Sequence, residues 1–144
     1  MNPNAVDNNE ADDEEILLQE GKSFVYPDGD YPGNLSAVKK DVSESSGNRM
    51  LVFDFYIPQL KATVRRYVSL ADNAVWALTP VAEALGVGKA GDSVTIKKLR
   101  ACIGAPVILT LVTGEYKGKK RSEVEKIVAN PNGERMAFNE DLPF

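Results

Sequence analysis

The stretch Arg49–Leu70 (R-M-L-V-F-D-F-Y-I-P-Q-L-K-A-T-V-R-R-Y-V-S-L) leaves a chain like this little choice of local structure. It alternates over two runs that turn at Pro58-Gln59. In the first, Leu51, Phe53, Phe55 and Ile57 share one face, while Val52, Asp54 and Tyr56 share the other. In the second, Ala62, Val64 and Val68 alternate with Thr63, Arg65 and Tyr67. Strand side chains point to opposite faces with period 2, so the pattern predicts a β-hairpin with one face in a core. The other face then presents Tyr56, Arg65 and Tyr67 outward, with Lys61 beside the turn. Arg66 breaks the rule, because it falls on the inward face beside Val64 and Val68. Either it pairs with an acid such as Asp54 at a barrel end, or the register differs.

Around this hairpin the chain falls into ordered segments. Residues 1–21 are polar and acidic apart from Ile16-Leu17-Leu18, a composition that predicts a disordered arm with at most a helical turn. Phe24, Val25 and Tyr26 are expected to dock on the body. A first strand is expected from about Asp30 to Lys40, with Gly33 marking a bend or bulge. The polar loop Asp41–Asn48 connects it to the hairpin. Ala71–Leu85 then changes period: Val75, Leu78, Ala82 and Leu85 recur at helical spacing, Asp72 stands where a cap is expected, and Pro80 predicts a kink or two short helices. Trp76 lies beside the apolar stripe and reads as a half-buried packing residue.

Gly86-Val87-Gly88-Lys89-Ala90-Gly91 matches G-x-G-x-x-G in letters. A dinucleotide fingerprint needs a strand before it and a helix after it. Here it follows a helix, so it reads as a helix stop and loop. Val94–Gly104 predicts a short amphipathic helix with Ile96, Leu99 and Ile103 inward and Lys97, Lys98 and Arg100 outward. Pro106–Gly114 is a nearly continuous apolar strand, Glu115–Arg121 a basic turn, and Ser122–Ala129 a last strand that ends at Pro131-Asn132-Gly133.

Three strands, a helix, a short second helical segment and two more strands are too few for two packed sheets. They suffice for a mainly β, five-stranded barrel of the oligonucleotide/oligosaccharide-binding kind (an OB-fold), with the helix between strands 3 and 4. The runner-up is an open α+β sheet with the helix across one face. Residues 22–130 would form this one domain, between the arm and a flexible tail over 131–144.

Composition narrows the chemistry. The net charge is −4, but residues 1–21 hold seven acids and no base, whereas 22–130 hold sixteen bases and eleven acids. The body is therefore mildly basic between acidic ends, and local charge sets the field at a site. With no histidine there is no Ser-His or Cys-His dyad and no His metal site. The single cysteine, Cys102, cannot form an internal disulfide and reads as a small buried residue. Glu123 and Glu125 share a strand face but lack further oxygen donors nearby, so a solvated face is the better explanation. No enzymatic role, metal or cofactor is expected. There is neither a long apolar run nor a signal-peptide pattern, so a cytoplasmic protein with no membrane partner is expected.

Binding a single strand of nucleic acid needs cations along the backbone path and rings for bases to stack on. The outward hairpin face supplies both, through Lys61, Arg65, Tyr56 and Tyr67. The basic turn does so through Tyr116, Lys117, Lys119, Lys120 and Arg121, while Lys39, Lys40 and Arg49 border the first loop. In the OB mapping these elements flank one groove.

The chain ends Glu140-Asp141-Leu142-Pro143-Phe144. This closely resembles the C-terminal tip of bacterial single-stranded-DNA-binding proteins, an acidic run followed by aliphatic-Pro-Phe. D-G-D-Y-P-G-N-L, G-N-R-M-L-V-F-D-F, the Trp-containing helix ending E-A-L-G-V, and E-Y-K-G-K-K-R resemble phage and prophage members of that functional class over about residues 28–129. The resemblance implies an OB-fold that coats single-stranded DNA during phage replication and recombination in the host cytoplasm. It implies a tip that recruits replication and repair proteins, with Phe144 in an apolar pocket and Glu140 and Asp141 steering toward a basic rim. A homo-oligomer is compatible with it. The competing class is a protein-binding inhibitor or adaptor that engages DNA-processing enzymes without nucleic acid.

Overall fold

A computed structural model describes Glu15 and residues 25–138, the side chain of Tyr116 excepted. The acidic arm expected over 1–21 and the tip Glu140–Phe144 lie outside the described residues. Five strands form one antiparallel sheet: β1 (Gly29–Val42), β2 (Arg49–Ile57), β3 (Ala62–Ser69), β4 (Pro106–Tyr116) and β5 (Lys119–Ala129). Their spatial order is β3-β2-β1-β4-β5. Between β3 and β4 run a 3-10 turn (Val75–Ala77), helix α1 (Leu78–Leu85) and helix α2 (Ile96–Arg100).

β1 bends the sheet because it serves two ladders in turn. Gly29–Asn34 pairs with β4, and Asn34–Val42 pairs with β2. Its register shifts between Leu35 and Ala37, so the bulge falls at Ser36, close to the bend expected at Gly33. Gly33 itself permits a close approach: a Cβ there would stand 2.9 Å from both Leu109 Cδ1 and the Tyr56 carbonyl. A bulge adds twist and redirects the strand, which turns a flat sheet into a curled one.

The hairpin alternation predicted for β2 and β3 is the observed register. Phe53 stands opposite Arg66, Phe55 opposite Val64 and Leu51 opposite Val68. Leu51, Phe53, Phe55 and Ile57 are fully buried, with Leu35, Val107, Leu109, Leu111, Val81 and Leu99 completing the core. Burying each such side chain contributes about 1.5–3 kcal/mol.

The mainly β, five-stranded expectation holds, but the sheet does not close into the expected barrel. Among the described residues β3 and β5 each have one ladder neighbour, so the antiparallel sheet is open between them. Arg66 spans the gap: its Nη1 donates to the Val124 carbonyl of β5 at 2.8 Å. This resolves the anomaly of the inward arginine. The register stands, Asp54 is not its partner, and an unpaired strand carbonyl is.

The helices differ in detail from expectation. The predicted span Ala71–Leu85 divides into the 3-10 turn and α1, and Pro80 sits in the first turn of α1, where its missing amide removes no bond. Asp72 caps nothing, since the position before α1 is Ala77, without a side-chain bond. α1 buries Val81, Ala82 and Ala84, a stripe shifted from the expected one. Gly86, at φ 76°, ends it as a left-handed cap, so the glycine-rich run is a helix stop and loop. α2 begins on Thr95, whose hydroxyl accepts from the Lys98 amide at 3.1 Å.

The basic turn Glu115–Arg121 is shorter than expected. β4 runs to Tyr116 and β5 starts at Lys119, leaving Lys117 (φ 53°) and Gly118 (φ 79°) as a two-residue turn. Two positive φ values match the twist of an antiparallel pair. Part of the stretch expected as a flexible tail from Pro131 is held against the body. Buried Asn34 donates through Nδ2 to the Glu134 carbonyl at 2.8 Å and to the Gly104 carbonyl at 3.0 Å. The Met136 amide donates to the Gly104 carbonyl at 2.9 Å, and Arg135 Nη2 to the Ile103 carbonyl at 3.0 Å. Residues 134–138 are thereby a strap across the body.

Candidate functional site

The gap between the edge strands is also where the chemistry gathers. Arg65, Arg66 and Tyr67 of β3 face Arg121, Ser122, Glu123 and Val124 of β5 across a cleft of about 360 Å³. Residues some 55 positions apart in the chain meet there because the curled sheet brings its two ends together. Arg66 enters from the core side, whereas Arg65 and Tyr67 lie on the outer face. The Tyr67 side chain at the rim is 55% exposed.

Behind this rim lies a charge network. Asp54, only 6% exposed, accepts from Arg65 Nε at 3.0 Å and pairs with Lys39 Nζ at 3.1 Å. Val52 is also buried, because Lys39 and Tyr67 flank it in register on the same face. The neighbouring Tyr67 side chain, and after it the Asp54 carboxylate, push the Arg65 guanidinium further above its ordinary value. Two cations share one carboxylate, so this cluster carries one net positive charge. Across the cleft, Arg121 Nε pairs with Glu123 Oε2 at 3.1 Å. The Glu123 side chain lies over Gly114, where any Cβ would collide with it.

Of the residues expected to bind a single strand, Lys39, Arg65, Tyr67 and Arg121 come together here. Tyr56 shares the outer face of β2 but stands four residues from Val52, about 13 Å along the strand. Its ring meets Phe138 of the strap edge-on, with centroids 6.4 Å apart. Lys61 is exposed in the β2–β3 turn at that same end. Lys40 and Arg49 do not join the group: they border a separate pocket of about 190 Å³ with Met50, Leu70 and Ile96. Lys40 stands opposite Leu51, so alternation directs it to the inner side of the sheet. Lys117, Lys119 and Lys120 are exposed around the β4–β5 turn, beyond Arg121. Glu123 and Glu125 share no site, because Glu125 lines the groove on the far side of Arg66, between α1 and β5. Among the described residues no three His, Cys, Asp or Glu side chains converge as metal ligands would.

Two residues acquire a new standing. Arg66 belongs to the cleft, and the signal was present as a charge on the inward parity of a strand. Trp76, expected to be half-buried, is 70% exposed beside a groove formed with Leu78, Ala82, Val94 and Lys89. Nothing in the local pattern announced that, because the 3-10 turn rotates Trp76 away from the helix stripe.

No family model matches the chain, and no curated protein aligns with it. No helix among the described residues is long and apolar enough to cross a membrane. A functional reading therefore stands on the geometry of the cleft and on the sequence motifs.

Proposed function

We propose that this chain is a single-stranded-DNA-binding protein built on an oligonucleotide-binding barrel whose β3–β5 seam stays open as the binding cleft. The observation that carries the reading is the convergence of Arg65, Arg66, Tyr67 and Arg121 from two distant strands around one cavity with an exposed ring at its rim. A ring stacks any base, contributing roughly 1–3 kcal/mol, and cations beside it follow the phosphates. Binding of this kind is tolerant of sequence, and about 0.7 counterions are released per phosphate contacted. The tip Glu140–Phe144 recruits replication and repair proteins, as its resemblance implies.

The test is a fluorescence titration with an oligothymidylate, in parallel with double-stranded DNA. Arg65→Ala with Tyr67→Ala weakens single-strand binding; a double variant that titrates like the parent at several salt concentrations removes the cleft assignment. Deleting Phe144 leaves DNA binding intact or improved and abolishes partner pull-down. Unchanged recovery of partners from host lysate would refute the role of the tip. Seven acids without a base in residues 1–21 favour a second reading, a protein-binding adaptor. That protein would retard no oligonucleotide in a gel yet still capture DNA-processing enzymes.

A further inference from the structure

The three arginines of the cleft are not equivalent. Asp54 balances Arg65, and Glu123 balances Arg121. Among the described residues no carboxylate reaches ion-pair distance of Arg66, although Glu83 and Glu125 line the groove behind it. Its one hydrogen bond goes from Nη1 to a neutral acceptor, the Val124 carbonyl. Its Nε is buried and has no partner. A guanidinium carries five N–H donors, so most of its capacity is unspent. An unbalanced charge partly withdrawn from water is costly, and an unsatisfied buried donor adds to that cost. Such a cost at the mouth of an open cleft is what a bound anion would remove.

We propose that Arg66 anchors a phosphate subsite in the β3–β5 cleft. A planar guanidinium fork binds phosphate oxygens in pairs, and the bond is charge-assisted. The neighbour in sequence identifies which phosphate. Arg66 and Tyr67 are consecutive on a strand and point to opposite faces, and the free edge of β3 lies between them. A base stacked on the exposed Tyr67 ring outside the edge leaves its phosphodiester at the edge, where it meets Arg66 from within. The ligand is thus a nucleotide unit of a single strand, held by one ring and one unbalanced cation. The subsite rests on the single-strand reading above for the source of its phosphate.

The experiment uses the full chain and three probes: an oligothymidylate, the same oligomer with neutral methylphosphonate linkages, and inorganic phosphate. Arg66→Met keeps the length of the side chain and removes its charge. The subsite predicts roughly tenfold weaker oligothymidylate binding at low salt. It also predicts a salt slope shallower by about 0.7. Tyr67→Ala weakens binding with the slope unchanged, and Arg66→Lys restores the slope. The methylphosphonate oligomer binds parent and Arg66→Met alike. An Arg66→Met slope equal to the parent's overturns the subsite while leaving single-strand binding standing. A parent that binds no oligomer but is protected against thermal unfolding by inorganic phosphate, with Arg66→Lys protected too, overturns the single-strand reading and keeps the anion site. Should Arg66→Met fail to fold, parent and Arg66→Lys decide: no difference between normal and methylphosphonate oligomers refutes the subsite.

Discussion

Tyr67 and Tyr56 look alike in the sequence and differ in the molecule. Both stand on the outer face of the same hairpin, one on β3 and one on β2. Tyr67 stands at the open β3–β5 cleft with its ring bare, beside Arg65 and opposite Arg121. Tyr56, toward the other end of the hairpin, is partly buried and carries Phe138 against its ring. The cover comes from a residue 82 positions downstream, held in place by Asn34, Gly104 and Ile103. Alternation selects a face; it does not select which rings on that face remain accessible.

The strap is the place to break this contrast. Gly104 has φ 102°, and any Cβ there would collide with the Met136 carbonyl. Gly104→Ala therefore costs about 3 kcal/mol of stability through backbone strain and lost strap hydrogen bonds, read from denaturant unfolding. A loss below about 1 kcal/mol would mean that the strap is not held as described. Tyr67→Ala sharpens the contrast from the other side. It should lose about 2 kcal/mol of single-strand affinity in a fluorescence titration, and an unchanged affinity would show that no base stacks there.

Tyr56→Ala should lose less than about 1 kcal/mol of affinity, since its ring is already engaged by an aromatic contact of comparable strength. Measured again in a Phe138→Ala background, the same substitution should lose more. A double-mutant cycle with no coupling would separate the two rings. The smallest effect concerns Cys102 beneath the strap. Burial pushes its thiol up, partly offset by Arg135. A raised folded value favours the neutral thiol, so this contribution is whole below the ordinary value of 9.0 and is lost as pH rises through the folded value. Cys102→Ala should flatten a small stability decline above that pH. An unaltered pH profile would show that the thiol is not shielded.

Much of the fold was legible because it rests on local rules. Leu51, Phe53, Phe55 and Ile57 announce a buried strand face, and the same parity marks Arg66 as an anomaly. Gly86 read correctly as a helix stop because only its neighbours matter for that. The candidate site was legible in part. Arg65 and Tyr67 follow from parity alone, but Lys40 and Arg49 turned out to border another pocket, since their positions lie on the inner parity at the strand ends. Trp76 was expected to be half-buried and is exposed, because a 3-10 turn precedes α1 and a stripe drawn at 3.6 residues per turn does not hold through it.

The amino-acid order alone determined which residues form strands, which face each side chain takes, and where the charge of the body differs from that of its ends. These depend on interactions within a few residues. Only the tertiary structure decided that β3 and β5 approach without pairing, that Arg66 bridges them unbalanced, and that Phe138 covers one tyrosine and leaves the other bare. Each is a contact between segments distant in the chain, and no local pattern encodes which distant groups will exclude water from one another.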